Sequence, residues 1–241
     1  MAGHSKWSKI KRGKAIEDAK RGKIFSKVSR LISVAAKEGG GNPDTNPRLR
    51  MAIEQAKSVN MPSEKIKNAI DRGLGRVEGD KMEEFLYEAY GPGNIALLIE
   101  GITDNKNRTL AEIRNILSKN GGKLVESGGV SYLFQKKGVI TVDKKRIAIE
   151  PADLELLAID AGAEDTKWRN DVLEIYTPPE KIEVVKIFLE KNNIPCSTSL
   201  EWLPLNEIKI PNPKTQQQIT KLFEALDEQD EVNEIYSNLK L

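Results

Sequence analysis

The sequence contains little of what metal sites and most catalytic centres require. Its 241 residues include one cysteine, Cys196, and one histidine, His4. A single cysteine excludes an internal disulfide framework and a cysteine-based zinc site, and a single histidine leaves little for metal binding or general base catalysis. We interpret Cys196 as a buried structural thiol within a strand and His4 as part of a flexible N-terminal segment. The sequence therefore predicts no metal site, no cofactor and no catalytic residue.

Aromatic residues and long apolar runs are also scarce. Aromatics make up 5% of the chain, so the cores must consist mostly of Ile, Leu, Val and Ala. No run of about 18 apolar residues occurs, so we expect no membrane-spanning helix. The Lys-rich N-terminus is followed by no apolar segment of the secretory type, and a mitochondrial transit peptide would usually be richer in arginine than in lysine. We expect a cytoplasmic protein with no membrane partner, and the sequence identifies no small-molecule substrate.

Charged residues are abundant but unevenly distributed. The formal net charge is +2, yet residues 1–76 hold 18 Lys and Arg against 7 Asp and Glu, a net charge of +11. The remaining residues hold 20 against 29, a net charge of −9. Such segregation favours a polyanionic partner for the basic part, because cations that neutralise phosphates release condensed counterions. The alternatives are a solvated basic face without a partner and a scaffold that binds an acidic protein.

The basic part has the pattern of a small helical bundle. Apolar residues recur at helical spacing and predict three helices, over Ala15–Glu38, Pro47–Val59 and Pro62–Arg72. Gly39–Gly41 and Gly73 end the first and the third of these helices. Short connections between amphipathic helices are typical of a bundle, so we predict a three-helix bundle that follows a basic tail.

The period then changes to that of strands. Two β-rich runs flank the turn Gly91–Asn94, and the order of elements up to position 137 is strand, strand, helix, strand. The ranges are Phe85–Tyr90, Ile95–Ile102, Arg108–Asn120 and then two strand segments, Lys123–Val125 and Val130–Phe134. A helix over Gln217–Leu226 and a strand over Val232–Tyr236 cannot bury themselves alone. We therefore expect them to return to this incomplete unit.

Residues 138–204 form a self-contained series between these two parts. The pattern predicts strand Val139–Val142, helix Pro151–Ala161, strands Ala163–Lys167 and Val172–Tyr176, helix Pro178–Lys191 and strand Cys196–Leu203. The order βαββαβ is that of a ferredoxin-like domain. The predicted fold class is α+β, with an N-terminal three-helix bundle (1–79), a discontinuous α/β middle domain (80–137 plus 205–241) and an inserted ferredoxin-like domain (138–204).

The basic tail is the first candidate nucleic-acid contact. Its cations surround one tryptophan, which combines charge that seeks phosphate with a ring able to stack on a base. Trp7 is alternatively an anchor that packs on the bundle. The predicted contacts in the tail are Lys6, Trp7, Lys9, Lys11, Arg12 and Lys14.

Basic residues along the predicted helices extend this candidate surface. One row on the first helix comprises Lys20, Lys23, Lys27, Arg30 and Lys37, and all of these except Lys37 are predicted contacts. Arg21 on the same helix and Arg48 and Arg50 on the second helix complete the candidates. Two polar loops of the middle domain form a second surface, because amide, hydroxyl and guanidinium groups suit contact with a sugar-phosphate backbone. Its candidates are Asn105, Lys106, Asn107, Arg108 and Ser127. A helix cap by Asp104 or Asn107 and a turn or bulge at Gly128-Gly129 are the structural alternatives.

Six ordered segments resemble the YebC family. They are MAGHSKW, DAKRGKIFSK, GGGNPDTNPRLRMAIEQAK, NMPSEKI, YEAYGPGNIALLIEGITDNKNRT and SKNGGKLVESGGVSYLF. The resemblance runs over the full chain and implies three domains, an intracellular location, no cofactor and no catalytic site. That family includes bacterial proteins described as transcriptional regulators and the mitochondrial translational activator of cytochrome c oxidase.

Two functions follow from these patterns and this resemblance. The first is a DNA-binding regulator of transcription with weak sequence specificity, because no predicted helix carries the Asn, Gln and Arg cluster expected of base readout. The alternative is a factor that binds ribosomal RNA and assists translation through difficult stretches such as runs of proline. Neither the oligomeric state nor the role of the acidic C-terminal portion is predicted.

Overall fold

The computed structural model describes residues 18–77 and 81–240, with the backbone alone for 18–20. The chain folds as two compact units. The first unit holds the described residues up to Gln135 and from Leu203 onward, and the second unit is Lys136–Trp202. The fold class is α+β, as predicted. The division into three domains stays a prediction.

The first unit begins with three helices, α1 (Asp18–Gly39), α2 (Pro47–Ser58) and α3 (Ser63–Gly73). Helices α2 and α3 pack on α1, and their shared core is built from small and aliphatic side chains such as Ile32 and Leu49, both fully buried. Gly73 permits a close approach of α3, since a Cβ there would lie 2.2 Å from the Ser33 carbonyl oxygen. The predicted helices agree with these bounds to within one residue wherever the structure describes them.

A four-stranded antiparallel sheet completes the first unit. Its strands are β1 (Glu83–Tyr90), β2 (Ala96–Thr103), β3 (Lys123–Val125) and β8 (Val232–Ser237), in the spatial order β3-β1-β2-β8. Two helices contribute to its core, α4 (Lys106–Lys119) and α7 (Pro213–Asp227), through residues such as Ile113 and Phe223. The C-terminal helix and strand therefore return to the middle strands, as the sequence predicts.

The second unit has the predicted ferredoxin-like order. Its elements are β4 (Phe134–Asp143), α5 (Pro151–Asp160), β5 (Asp165–Arg169), β6 (Val172–Thr177), α6 (Ile182–Lys191) and β7 (Ser197–Pro204), of which β4 and β7 extend two residues beyond the bounds of the unit. The spatial order of the strands is β5-β6-β4-β7. β6 lies antiparallel to both β4 and β5, with Ile140 opposite Ile175 and Trp168 opposite Leu173.

Two local predictions were wrong. The segment Val130–Phe134 is not a strand: Ser131–Leu133 forms a short 3₁₀ helix, and Phe134 begins β4. The backbone N–H groups of Val130 and Ser131 both donate to the Glu88 carboxylate, so they cannot join a strand ladder. Cys196 lies just before β7 and is only partly buried, and it is not a buried thiol within the strand.

Candidate nucleic-acid interface

One row of cations runs along α1. Lys23, Lys27 and Arg30 are spaced by four and three residues, which places them on one face of the helix. Their row is distinct from the apolar row of Val28, Ile32 and Ala35, which lies in the bundle core. The predicted basic row is therefore brought together by the helix.

These cations contact an acidic turn that joins α7 to β8. We define the acidic turn as Asp227–Glu231. Lys23 Nζ lies 3.3 Å from a Glu228 carboxylate oxygen and 3.7 Å from one of Asp230. Arg30 Nη1 donates to the Asp230 carbonyl oxygen over 2.5 Å. Carboxylate and carbonyl oxygens of the acidic turn thus contact the cations that the sequence predicts as phosphate ligands.

Lys27 is the most enclosed member of the row. Its Nζ donates to the Asp227 carbonyl oxygen over 2.9 Å, and 15% of its side chain is exposed. Burial lowers the pKa of Lys27, because it disfavours the ammonium form, and the charges of Asp227, Glu234 and Asp230 offset this only in part. Lys27 is therefore a less accessible phosphate ligand than its neighbours.

The predicted loop surface lies on the other side of the same acidic turn. Arg108, at the start of α4, forms ion pairs with both Asp104 and Glu231. Thr109 Oγ1 lies 2.5 Å from Glu231 Oε2, close enough for the hydroxyl to donate, and Thr109 is fully buried. The two predicted surfaces therefore meet at residues 227–231, a relationship that no pattern in the sequence indicates.

The carboxylates in this network are held in their charged form. Burial would raise the pKa of Glu231, but hydrogen bonds from Thr109, Arg108 and Thr103 outweigh it, so the pKa is lowered. The hydrogen bond from Arg108 is the main cause of a lowered pKa for Asp104, to which the charge of Arg30 also contributes. The lowered pKa values keep Glu231 and Asp104 in the carboxylate form in which they pair with Arg108.

Other predicted cations of the bundle also have internal partners. Arg48 forms ion pairs with Glu38 and with Glu84 of β1, and these charges raise its pKa despite the opposing effect of burial. Arg50 Nη1 donates to the Pro43 carbonyl oxygen over 3.0 Å.

Two further predicted cations lie at the start of α1. Arg21 is exposed. Lys20 belongs to α1, and its side chain is outside the described residues.

Four exposed cations on α2 and α3 have no ion pair within the described ranges. They are Lys57, Lys65, Lys67 and Arg72, and we call them the open cations. Lys65 Nζ lies 5.2 Å from the centre of the Phe25 ring, and the residue is exposed at the surface. The contacts predicted from the sequence end at Arg50 on these helices, so this group extends them. These four residues were recognisable in the sequence as basic residues at positions of the predicted helices that face away from the bundle core.

The loop candidates have mostly structural contacts. The Asn105 side chain accepts from Arg108 N over 3.1 Å and is the N-cap of α4, so neither Asp104 nor Asn107 is the cap. Lys106 Nζ lies 3.4 Å from a Glu83 carboxylate oxygen. Asn107 and Ser127 are exposed.

The Ser127 loop is held by a buried carboxylate. Glu88, 4% exposed, accepts hydrogen bonds from the backbone N–H groups of Gly128, Val130 and Ser131 at 2.7–2.8 Å. Burial alone would raise the pKa of Glu88, yet these donors lower it. Gly128 has φ +89°, which favours glycine in this turn.

The predicted tail contacts, Lys6 to Lys14, lie outside the described residues. Within the described ranges, no three His, Cys, Asp or Glu side chains form a group that could hold a metal ion. The helices found there are all too short or too polar to span a bilayer.

Two domain models of one protein family together match nearly the whole length of the chain. The TACO1/YebC N-terminal domain matches residues 5–76, and the TACO1/YebC second and third domain matches residues 82–239. The chain belongs to the TACO1/YebC family.

Several relatives carry the same descriptive name. A "probable transcriptional regulatory protein" of Halothermothrix orenii is 49% identical, covering 100% of this chain and 96% of the relative. One of Thermotoga maritima is 45% identical, with 100% and 94% covered. The crystal structure of a conserved hypothetical protein from Aquifex aeolicus is 46% identical, covers 92% of this chain and 91% of that chain, and has a TM-score of 0.85.

Proposed function

We propose that the protein is a non-catalytic, cytoplasmic regulator of gene expression that binds nucleic acid, and that its target is DNA. The observation that carries the proposal is the concentration of +11 charge in residues 1–76, together with the open cations Lys57, Lys65, Lys67 and Arg72. The naming of its relatives as transcriptional regulatory proteins supports the choice of DNA.

The mechanism is electrostatic positioning of the protein on a phosphate backbone. Lysine ammonium groups are point charges that bind phosphate without reading base edges. The open cations are three lysines and one arginine, so we expect an affinity for nucleic acid that depends only weakly on the base sequence. We expect cations of the tail to bind the same phosphate backbone, with Trp7 able to stack on an exposed base. These cations are Lys6, Lys9, Lys11, Arg12 and Lys14.

The acidic turn restricts which cations take part. Because Lys23, Lys27 and Arg30 already contact Asp227–Asp230, they reach a phosphate only after exchanging one anionic partner for another. The carboxylates also repel a polyanion from this side of the first unit. We infer that nucleic acid approaches the open faces of α2 and α3 first.

Ribosomal RNA is the second candidate target. Binding that relies on lysine charge suits the backbone of folded RNA as well as that of duplex DNA. The exposed polar residues Asn107 and Ser127 add groups that are suited to sugar and phosphate contacts.

Crosslinking in cells, followed by sequencing of both DNA and RNA, separates the two targets. Enrichment of DNA near transcription start sites supports the proposal, and a variant with Lys57, Lys65, Lys67 and Arg72 changed to Ala should lose it. Enrichment of ribosomal RNA, with the protein in ribosomal fractions of a sucrose gradient, supports the alternative. Enrichment of neither would overturn the assignment to nucleic acid.

A further inference from the structure

The second unit exposes an unusual apolar surface. Four large aliphatic side chains on its two helices are largely accessible: Leu156 is 60% exposed, Ile159 56%, Val184 63% and Ile187 43%. Single exposed aliphatic residues are common in proteins, but a cluster bordered by charge is typical of an interaction site. We call these four residues the outer apolar face.

Helix geometry explains why these residues point away from the core. On α5 the inward positions are Leu154 and Ala158, both fully buried, and Leu156 and Ile159 lie on the opposite side of the helix. On α6 Val185 and Leu189 point inward, and Val184 and Ile187 lie on the outward side. Each helix is therefore apolar on two sides, one of which lacks a covering element within the described residues.

The two outward sides adjoin each other. Helices α5 and α6 pack together, and in a βαββαβ unit both helices cover the same face of the sheet. Packed helices have axes about 8–10 Å apart, so we expect the aliphatic side chains on neighbouring outward sides to form one continuous surface with a shallow groove. Such a groove accommodates the apolar side of another helix, with anchors at positions i, i+3 and i+4.

The charge around this groove indicates the kind of partner. Helix α5 carries three carboxylates, Asp153, Glu155 and Asp160, and Glu150 is its N-cap residue, whereas no basic residue occurs from 147 to 166. On α6 the side chain of Lys186 is buried and its Nζ lies 3.9 Å from Glu190. The exposed Lys181 and Lys191 at the ends of α6 are balanced by Glu183 and Glu190, so the net charge around the groove comes from α5. A second copy of the chain would bring another acidic α5 to the groove, and like-charge repulsion between the two helices disfavours this occupant.

We propose that the outer apolar face docks a basic amphipathic helix of a partner protein. The aliphatic side chains of the partner fill the groove between α5 and α6, and its lysines and arginines meet the carboxylates along α5. This site lies in the second unit and does not depend on the phosphate-binding role proposed for the first.

A peptide titration on the full-length protein tests the proposal. The probe is an 18-residue helical peptide of leucine and lysine, with leucine on one side only, and its binding is followed by nuclear magnetic resonance of the amide groups. We expect shifts confined to α5 and α6 and at least about tenfold weaker binding by a variant with Leu156→Gln and Val184→Gln. A matched control, Val77→Gln with Leu205→Gln, changes equally exposed residues of the first unit and should bind as the original protein does.

Three further measurements decide the identity of the occupant. Equal binding of a leucine–glutamate peptide would overturn the assignment to a basic partner. Dimerisation in sedimentation equilibrium that is lost in the Leu156→Gln, Val184→Gln variant would identify a second copy as the occupant and overturn the proposal. Binding to phosphatidylcholine vesicles, without binding to the leucine–lysine peptide, would identify a membrane surface as the occupant and would also overturn the proposal.

Discussion

The ammonium group of Lys27 donates a hydrogen bond to the Asp227 carbonyl oxygen over 2.9 Å, across 200 positions of sequence. This contact fixes α1 of the bundle against the end of α7. It places the basic row of α1 beside the acidic turn, so part of the positive charge of residues 1–76 is neutralised by carboxylates from the C-terminal part of the same unit. The acidic turn thereby limits the cations that are free to contact a polyanion.

Neutralising the acidic turn should strengthen nucleic-acid binding. The double variant Glu228→Gln, Asp230→Asn removes the ion pairs of Lys23 and two charges that repel phosphate. Exposed pairs of this kind contribute about 0.5 kcal/mol each at low salt, so we expect about fivefold tighter binding to a 25-base-pair duplex. Fluorescence anisotropy at low and moderate salt measures the change.

The matched control for this experiment changes the same charge elsewhere. Glu180→Gln with Glu190→Gln removes two exposed carboxylates from the second unit, and we expect little change in affinity because the ion pairs of Lys23 stay intact. If the control tightens binding as much as the Glu228→Gln, Asp230→Asn variant does, net charge rather than the acidic turn controls the affinity.

Removing the tail cations should weaken binding to every sequence alike. Four alanine substitutions, at Lys9, Lys11, Arg12 and Lys14, remove up to four phosphate contacts. The slope of log K against log salt should then flatten by about 3.6 on duplex DNA, since each contact contributes about 0.9. A second variant with alanine at Lys144, Lys145, Arg146 and Lys167 has the same net charge and should keep the original slope. An unchanged slope in the tail variant would exclude those side chains as contacts.

Replacing Glu88 should destabilise the loop that carries Ser127. The Glu88→Gln variant loses a charged acceptor of three backbone N–H groups in a buried place, which should cost about 1–3 kcal/mol of unfolding free energy. Urea denaturation measures the loss. Glu126→Gln, in the same turn but exposed, is the control and should unfold as the original protein does.

Glu88 also predicts how stability changes with pH. Its pKa in the folded state is lower than the ordinary value of 4.5, so its stabilisation is fully present above that value and is lost as the pH falls through the folded pKa. The original protein should therefore lose more unfolding free energy between about pH 6 and pH 3 than Glu88→Gln does. Parallel pH profiles of the two proteins would contradict this assignment.

Two neighbouring asparagines should behave differently although the sequence suggests the same role for both. Asn105→Ala removes the N-cap of α4 and should cost about 1 kcal/mol of unfolding free energy. Asn107→Ala changes an exposed side chain and should alter stability by less than about 0.5 kcal/mol. If Asn107→Ala lowers the affinity for nucleic acid while stability is unchanged, Asn107 is a contact. Equal destabilisation by both substitutions would contradict the capping assignment.

Much of the fold was predictable because local signals agree with it. Proline at the first turn of α2, glycine at the end of α3 and the turn Gly91–Asn94 mark boundaries that the structure reproduces closely. The return of α7 and β8 to the middle strands was predictable because an isolated helix and strand cannot bury an apolar face.

The errors arise where a distant side chain determines the local structure. Val130–Phe134 has the composition of a strand, but Glu88, more than forty positions earlier, binds its first two N–H groups. The basic row of α1 was predictable as a row, whereas its contact with Asp227–Asp230 depends on tertiary packing that helical periodicity does not encode.

The most direct test of the central claim is a salt titration of the purified full-length protein with duplex DNA and with structured RNA. If the cations of residues 1–76 form a phosphate-binding surface, the logarithm of the association constant should fall linearly with the logarithm of the salt concentration. The slope should be near −5 on duplex DNA when about six phosphates are contacted. The affinity should be similar for unrelated sequences. Absence of binding to both nucleic acids, even at the lowest salt concentration, would contradict the claim.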